Sequence, residues 1–458
     1  MGLSSDVLTK LQDLLGERLS VSAAVLDQHA RDEAHTPATP PDAVAFPETT
    51  AEVAEIVRIC AAAHVPVIPW GVGTSLEGHA LALQGGVTLD MSRMATVLEV
   101  ADEDRYVRVQ PGLTREELNT ELRATGLFFP VDPGANATLG GMAACSASGT
   151  TAVRYGTMAD NVMGLEVVLA DGRVIRTGRR SAKTSSGYDL TRLIVGSEGT
   201  LGIITELTLR LQGQPEAISA AVCAFPDTDA AINTVIMAVQ TGIPMARIEY
   251  LNEPMIDAIN TVEKMDLPRQ PHLFFEFHGT QRGVEEQAEM LAEIVTEMGG
   301  EGFKWSTRAE ERNALWKARH NAYHSAHTVR PGTIGWSTDV CVPISKLAQA
   351  ITDTMADLEA EGIDAPILGH VGDGNYHVLL FMDEADPKGR ETVDRICAAM
   401  NRRALALGGT ITGEHGIGAG KMKFMAEEHG EAWTVMAEIK RALDPQNIMN
   451  PGKVVQVN

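Results

Sequence analysis

Two short stretches in the second half of the chain concentrate groups that bind metals and move protons. Residues 369–377 read Gly-His-Val-Gly-Asp-Gly-Asn-Tyr-His, and residues 413–418 read Gly-Glu-His-Gly-Ile-Gly. His370 and His377 flank a sharp turn, Gly372-Asp373-Gly374-Asn375, which would fold the chain back and bring both imidazoles to one side. Glu414 adds a carboxylate, and His415 a further imidazole, on a second glycine loop. Two histidines and one carboxylate make a ligand set for a first-row divalent ion with positions open to substrate, and zinc, manganese and iron(II) all suit it. The plainer alternative is two histidines satisfied by backbone hydrogen bonds. The second loop, which puts a carboxylate next to another histidine, weighs against that alternative.

The first half carries a different signal. Pro69-Trp70-Gly71-Val72-Gly73-Thr74-Ser75-Leu76-Glu77-Gly78 directly follows a strand-like run, and its close glycines would let backbone amides approach an anion. Asp132-Pro133-Gly134-Ala135-Asn136-Ala137-Thr138-Leu139-Gly140-Gly141 is a second such loop, followed by small residues from Met142 to Thr151 that would let the chain pass close to a flat ring or a diphosphate. Either loop alone reads equally as a tight structural turn. Together they favour a dinucleotide cradle, although their spacing is not that of the nicotinamide-binding GxGxxG.

Several elements must position these groups. An amphipathic helix is expected within 1–20, and the proline-rich 34–42 reads as a connector. Strand-like 43–46, a helix opened by Thr49-x-x-Glu52 in the form of a capping box, and strand-like 65–68 make a strand–helix–strand unit. A second box, Thr114-x-x-Glu117, opens another helix, Asp171-Gly172 marks a hairpin, and 202–211 reads as a further strand. From about 216 the texture shifts to strand-like runs (218–224, 245–250, 272–279, 338–342, 376–381) among helices at 228–241, 283–298 and 344–361, the pattern of an antiparallel sheet covered by helices. Helices are also expected at 387–407 and 424–443. The fold class is thus α+β. A mixed α/β domain spans 1–215 with its core at about 38–215. An antiparallel-sheet domain follows at 216–423, and a C-terminal helix and tail at 424–458 returns to the first domain.

Composition removes several function classes. The net charge of −23 argues against a nucleic-acid partner, which needs a basic face. The five cysteines are scattered, form no CxxC pair and read as reduced thiols. No run approaches the roughly 20 apolar residues of a membrane span. The first twenty residues, with Asp6, Asp13 and Glu17, look like neither a transit peptide nor a secretory signal, so a cytoplasmic location is expected.

PWGVGTSLEG, PGANATLGG and GSEGTLGIIT (196–205) resemble the three FAD-contacting segments of the vanillyl-alcohol oxidase, or p-cresol methylhydroxylase, family. The resemblance implies FAD lying across the first domain on Gly71, Gly73, Thr74, Ser75, Pro133, Gly134, Thr138, Gly140, Gly141, Ser148, Gly149, Glu198 and Ile203. Some members attach the flavin through a histidine of the first loop; His79 lies after Gly78, outside that position, so a non-covalent flavin is expected. The 369–377 and 413–418 segments, with Ser337–Ser345, Leu443-Asp444-Pro445 and Asn450-Pro451-Gly452-Lys453, are similar to the FAD-linked oxidase C-terminal domain, in its D-lactate dehydrogenase branch. Residues about 40–458 share the likeness. It implies His370, His377 and Glu414 as metal ligands, His415 as base, Asn375 beside the metal, Asn450 near the flavin, and Arg319 of Trp316–His320 on the substrate carboxylate.

The reaction so implied is oxidation of a D-2-hydroxy acid, with D-lactate favoured over glycolate. D-2-hydroxyglutarate would want another cation, where Ser337 is neutral. No nicotinamide fold, haem motif or iron–sulfur set is apparent, so the acceptor would be external: a quinone, a cytochrome or an electron-transfer flavoprotein. A quinone would add peripheral contact with the inner membrane. A rival of another class is a non-catalytic flavin-binding subunit, against which the His370, His377, Glu414 and His415 cluster argues.

Overall fold

The computed structural model describes residues 2–34, 36–383 and 385–457. The chain divides into two compact units: residues 1–148, 156–214 and 414–458 form the first, and 149–155 with 215–413 the second. The second unit therefore ends at Gly413, ahead of the 423 expected from sequence texture, and takes in a seven-residue strap, Gly149–Tyr155, from the middle of the first.

The first unit holds two principal sheets. Ala43–Ala45 and Val67–Trp70 run parallel to Val87–Asp90 on either side of it, and Leu19–Ser20 adds an antiparallel edge. The helix Thr50–Ala62 crosses over and buries Val53, Ile56, Val57 and Cys60, the i, i+3, i+4, i+7 face of its sequence. Its first turn corrects one expectation. Thr49 does accept the Glu52 N–H, but the Glu52 carboxylate turns to Arg18 (2.6 and 2.7 Å) and the Glu48 N–H, so the reciprocal box is not closed. At Thr114 and Glu117 it is closed. The other sheet is antiparallel, in the order Val97–Ala101, Tyr106–Val109, Ile203–Arg210, Val162–Val168, Val174–Gly178, with the expected hairpin at Asp171-Gly172. The C-terminal segment completes this unit. Met449 pairs with Val67, and the buried Lys440 ammonium bonds Thr200 O, Met449 O and Asp444.

The second unit is built on one antiparallel sheet, in the order Glu301–Ser306, Ala217–Ala224, His272–Gly279, Met245–Leu251, Ile367–His370, Asn375–Asp383, Thr333–Ser337. One face packs Ala221, Phe275, Tyr250 and Val378 against Ile232, Leu291, Ile351 and Ile396 of four helices. The other packs Phe274, Leu251, Leu368 and Leu379 against Met255, Ile259 and Trp316. The strand expected at 338–342 is interrupted. Thr333–Ser337 and Val340–Cys341 both pair with Asn375–Asp383; between them Thr338 keeps one backbone bond to Val378 and accepts from His377 Nδ1, while Asp339 leaves the ladder and accepts from Asn375. The helix expected at 424–443 is split at Gly430 (φ 53) into Met425–His429 and Glu431–Leu443.

The mixed α/β architecture with antiparallel sheets agrees with the α+β reading.

Candidate functional site

Strand alternation places the two motif histidines. Leu368 pairs with His377, and His370 stands two residues beyond Leu368, so both imidazoles emerge on one sheet face, with ring centroids 5.4 Å apart. The turn between them has no room for side chains. Gly374 has φ 82 and its Cβ would strike Val342 O, and a Cβ on Gly372 would lie 2.7 Å from Val153 Cγ2.

Each histidine is held through Nδ1. His377 Nδ1 donates to Thr338 O (2.8 Å), and His370 Nδ1 to Glu249 Oε1 (2.7 Å). Neither partner can donate, so Nδ1 carries the hydrogen and Nε2 is the nitrogen each ring would offer a cation. Glu249, 0 % exposed, lies directly across the ladder from His370, and its other oxygen accepts Nε (2.9 Å) and Nη2 (2.5 Å) of Arg319. Arg319 and Trp316 lie one turn apart on the helix Ala309–His320. Trp316 stacks under Arg247, 4.8 Å from ring centre to guanidinium, just as Arg319 meets Glu249 two residues along the strand.

Asn375 donates from Nδ2 to Asp339 Oδ1 (2.7 Å) and Val340 O (2.8 Å), which leaves its Oδ1 buried without a partner. The second oxygen of Asp339 accepts the Thr412 hydroxyl (2.6 Å) and the Gly413 N–H (2.8 Å). Glu414 follows Gly413 by one peptide bond, so the covalent chain brings it to this edge. Its Oε2 accepts the Ser148 hydroxyl at 3.2 Å. Among the described residues, His370, His377 and Glu414 form a group whose ligand atoms all lie within 4.8 Å of one another. Two neutral imidazole nitrogens and a carboxylate suit a divalent first-row ion. His415 is the next residue, half-buried.

The loop residues of the first unit serve different ends. A Cβ on Gly71 would run into Thr138 Oγ1, so these two loops touch there. Thr138 caps the helix Leu139–Cys145 by accepting the Gly141 N–H (3.4 Å), and the Gly140 N–H bonds Pro111 O (2.8 Å). Gly73 sits at φ 72 beside the Trp70 ring, and Gly134 faces open space. Thr74 and Pro133 are half-buried. Ser75 gives its hydroxyl to Asp32 (2.9 Å). Gly149 (φ 147) opens the strap of the second unit. Ile203 puts its side chain into the core. The Glu198 carboxylate accepts the N–H groups of Ile417 and Gly418, and Asn450 donates to His79 O and Glu198 O. A flavin fits this set on two counts: the half-exposed 71–77 and 133–137 loops offer backbone at their glycines, and His79 Nδ1 is buried without a partner at the end of the first loop.

Sequence reasoning passed over Glu249 and the role of Asp339. Glu249 had one available signal, a carboxylate inside the otherwise strand-forming Arg-Ile-Glu-Tyr-Leu. Asp339 lay inside a recognised segment, but nothing marked its carboxylate as a bracket for two loops.

Residues 41–178 match a family model described as FAD binding domain, and residues 214–454 one described as FAD linked oxidases, C-terminal domain. A protein of Danio rerio named "Probable D-lactate dehydrogenase, mitochondrial" is 50% identical over 456 residues, covering 98% of this chain and 92% of that one. "D-lactate dehydrogenase [cytochrome], mitochondrial" of Arabidopsis thaliana is 42% identical over 453 residues, covering 98% and 80%. The crystal structure of p-cresol methylhydroxylase with substrate bound superposes with a TM-score of 0.82 at 18% identity, covering 99% of this chain and 97% of that one, which shows a shared fold. With both family models matched in order and a relative at 50% identity over nearly its whole length, the chain belongs to the FAD-linked oxidases, as an FAD-binding oxidoreductase.

Proposed function

We propose that this enzyme is an FAD-dependent D-lactate dehydrogenase that oxidises D-lactate to pyruvate and passes the electrons to an external acceptor. The observation that carries the reading is the close group of His370, His377 and Glu414, with both histidines oriented through Nδ1. The names of the two relatives above support D-lactate as the hydroxy acid.

When bound, FAD supplies the acceptor for the C2 hydrogen with its electron pair, and a zinc, manganese or iron(II) ion supplies a Lewis acid that lowers the pKa of the hydroxyl. His370 and His377 would hold the ion through Nε2 and Glu414 through a carboxylate oxygen. Asn375 Oδ1 is a pure acceptor in a buried place, fit to take a hydrogen bond from the substrate hydroxyl or a bound water. Arg319 is gripped by Glu249 along Nε and Nη2, so Nη1 is the part of its fork left to take a substrate carboxylate. His415 takes the hydroxyl proton as general base. The flavin is held non-covalently on the 71–75 and 133–141 loops, since His79 lies just past the first loop and is paired with Glu198.

A cytochrome acceptor has the support of the Arabidopsis relative's name; a quinone or an electron-transfer flavoprotein are the other candidates. None of the five cysteines is in a disulfide, which supports a reducing compartment, cytoplasmic or mitochondrial, and no described helix is long and apolar enough to cross a membrane.

Anaerobic spectroscopy tests the reading. D-lactate should bleach the flavin band and L-lactate should not, and prior chelation should abolish bleaching until metal is restored. A yellow protein bleached instead by glycolate or D-2-hydroxyglutarate would move the substrate. One that none of these acids reduces would favour the non-catalytic subunit.

A further inference from the structure

The loop that carries Glu414 and His415 is anchored inside the first unit by a buried ion pair. Glu198 is 4 % exposed and sits at φ 53, a left-handed backbone that aims its side chain at the loop. Its Oε1 accepts the Ile417 N–H at 2.7 Å and its Oε2 the Gly418 N–H at 2.8 Å. Hydrogen bonds to a carboxylate are about twice as strong as neutral ones, and two on adjacent residues fix both position and tilt of the backbone. His79, 5 % exposed, places Nε2 3.2 Å from Glu198 Oε1. Burial pulls the imidazole pKa down, but Glu198, with Glu77 and Asp32 behind it, outweighs that, and the net direction is up. The Glu198 carboxylate thus favours the charged form of the imidazole beside it. Gly416 (φ 81) leaves no room between loop and pair, because a Cβ there would stand 2.6 Å from His79 Nε2 and 2.7 Å from Glu198 Oε1. Asn450 ties the two residues together from behind, donating to His79 O (2.9 Å) and Glu198 O (2.7 Å) while its Oδ1 accepts from Lys453 (2.8 Å). The far end of the loop is pinned at Glu77, whose carbonyl accepts from Ala419 (2.8 Å) and Gly420 (3.0 Å).

We propose that Glu198, balanced by His79, is a positioning residue for proton transfer: it fixes the 416–418 backbone so that Glu414 and His415, two to four residues from the two bonded amides, are held in working register. The proposal rests on the roles given above to Glu414 and His415. An ordinary structural brace would affect only stability. This one is bonded so close to the base that a small displacement of the loop changes the reaction rate itself.

Glu198→Gln tests it in the holoenzyme. The amide keeps the size but can accept from only one of the two N–H groups well. Hydrogen exchange at the Ile417 and Gly418 amides should become faster by about tenfold to a hundredfold, and the rate constant for flavin reduction by D-lactate, per bound flavin, should fall by about the same factor with KM little changed. Gly416→Ala keeps the carboxylate and displaces the loop, so it should reproduce the kinetic loss. Unchanged protection of the two amides in Glu198→Gln, or an unchanged reduction rate per flavin, would overturn the proposal. The exchange measurement needs neither substrate nor metal. A wild-type protein inert to D-lactate would therefore sink the functional reading while the amides still decide whether Glu198 holds the loop.

Discussion

Glu249 serves two partners at once: it accepts from the His370 imidazole with one oxygen and holds the Arg319 guanidinium with the other, with no surface exposed. Removing it strands a buried guanidinium, which costs about 3–5 kcal/mol, and frees the His370 ring to rotate. Glu249→Ala should therefore lose that much stability in denaturant unfolding and weaken metal binding by about tenfold to a hundredfold in titration of the chelated protein. Glu249→Ala with Arg319→Met should regain part of the stability, because no buried charge is then unpaired, but none of the metal affinity. His415→Ala makes the contrasting case. Folding, flavin content and metal affinity should survive, while flavin reduction by D-lactate falls by about a hundredfold to ten-thousandfold, the range of a lost general base. A variant that still turns over normally would remove His415 from that role.

The hairpin Ile367–His370 and Asn375–Asp383 shows how an element sets two histidines side by side. Gly374→Ala would force φ 82 on a residue with a Cβ and drive that Cβ into Val342 O. The expected result is a stability loss of about 1–3 kcal/mol and weaker metal binding, with flavin content unchanged, since the loops proposed to hold FAD belong to the other unit. Much of this element was legible in advance. Two histidines across a Gly-Asp-Gly-Asn turn announce a reversal, and period-two alternation then sets the face. The helix Thr50–Ala62 was legible for the same reason, because local periodicity and burial agree. What was not legible depends on partners far along the chain. Glu52 has the right spacing to close a box with Thr49, yet Arg18, 34 residues earlier, takes its carboxylate. Asp339 reads as strand, and only the loop at 412–413 reveals why it leaves the ladder. Glu249 offers a sequence no clue that its partners are residues 319 and 370.

At the scale of the whole molecule, buried ionisable groups set opposite pH trends. Burial lowers Lys453 to about 8 and moves Lys440 the same way, so an unfolded chain holds protons that the folded one has released, and stability rises with pH from about 8 toward 10.5. Burial raises Cys60 and Cys341 to about 12, and Cys145 and Cys223 move up as well. Unfolded thiols ionise from pH 9.0, so the stability these four provide is present below that pH and lost as pH climbs toward 12. Four thiols outweigh two lysines: the melting temperature should fall above about pH 9, and Cys60→Ala should make the fall shallower in a pH series of thermal melts. The division of the chain has a further consequence, for its birth on the ribosome. The strand Val67–Trp70 is made early, yet its neighbour Met449 and the Asn450 and Lys453 ties arrive only after all of 215–413 has been translated, a wait of roughly 20–80 s at ordinary elongation rates. During that interval the nascent first unit lacks its last strand partner, so chaperone occupancy should be highest then, and flavin capture should follow release of the finished polypeptide.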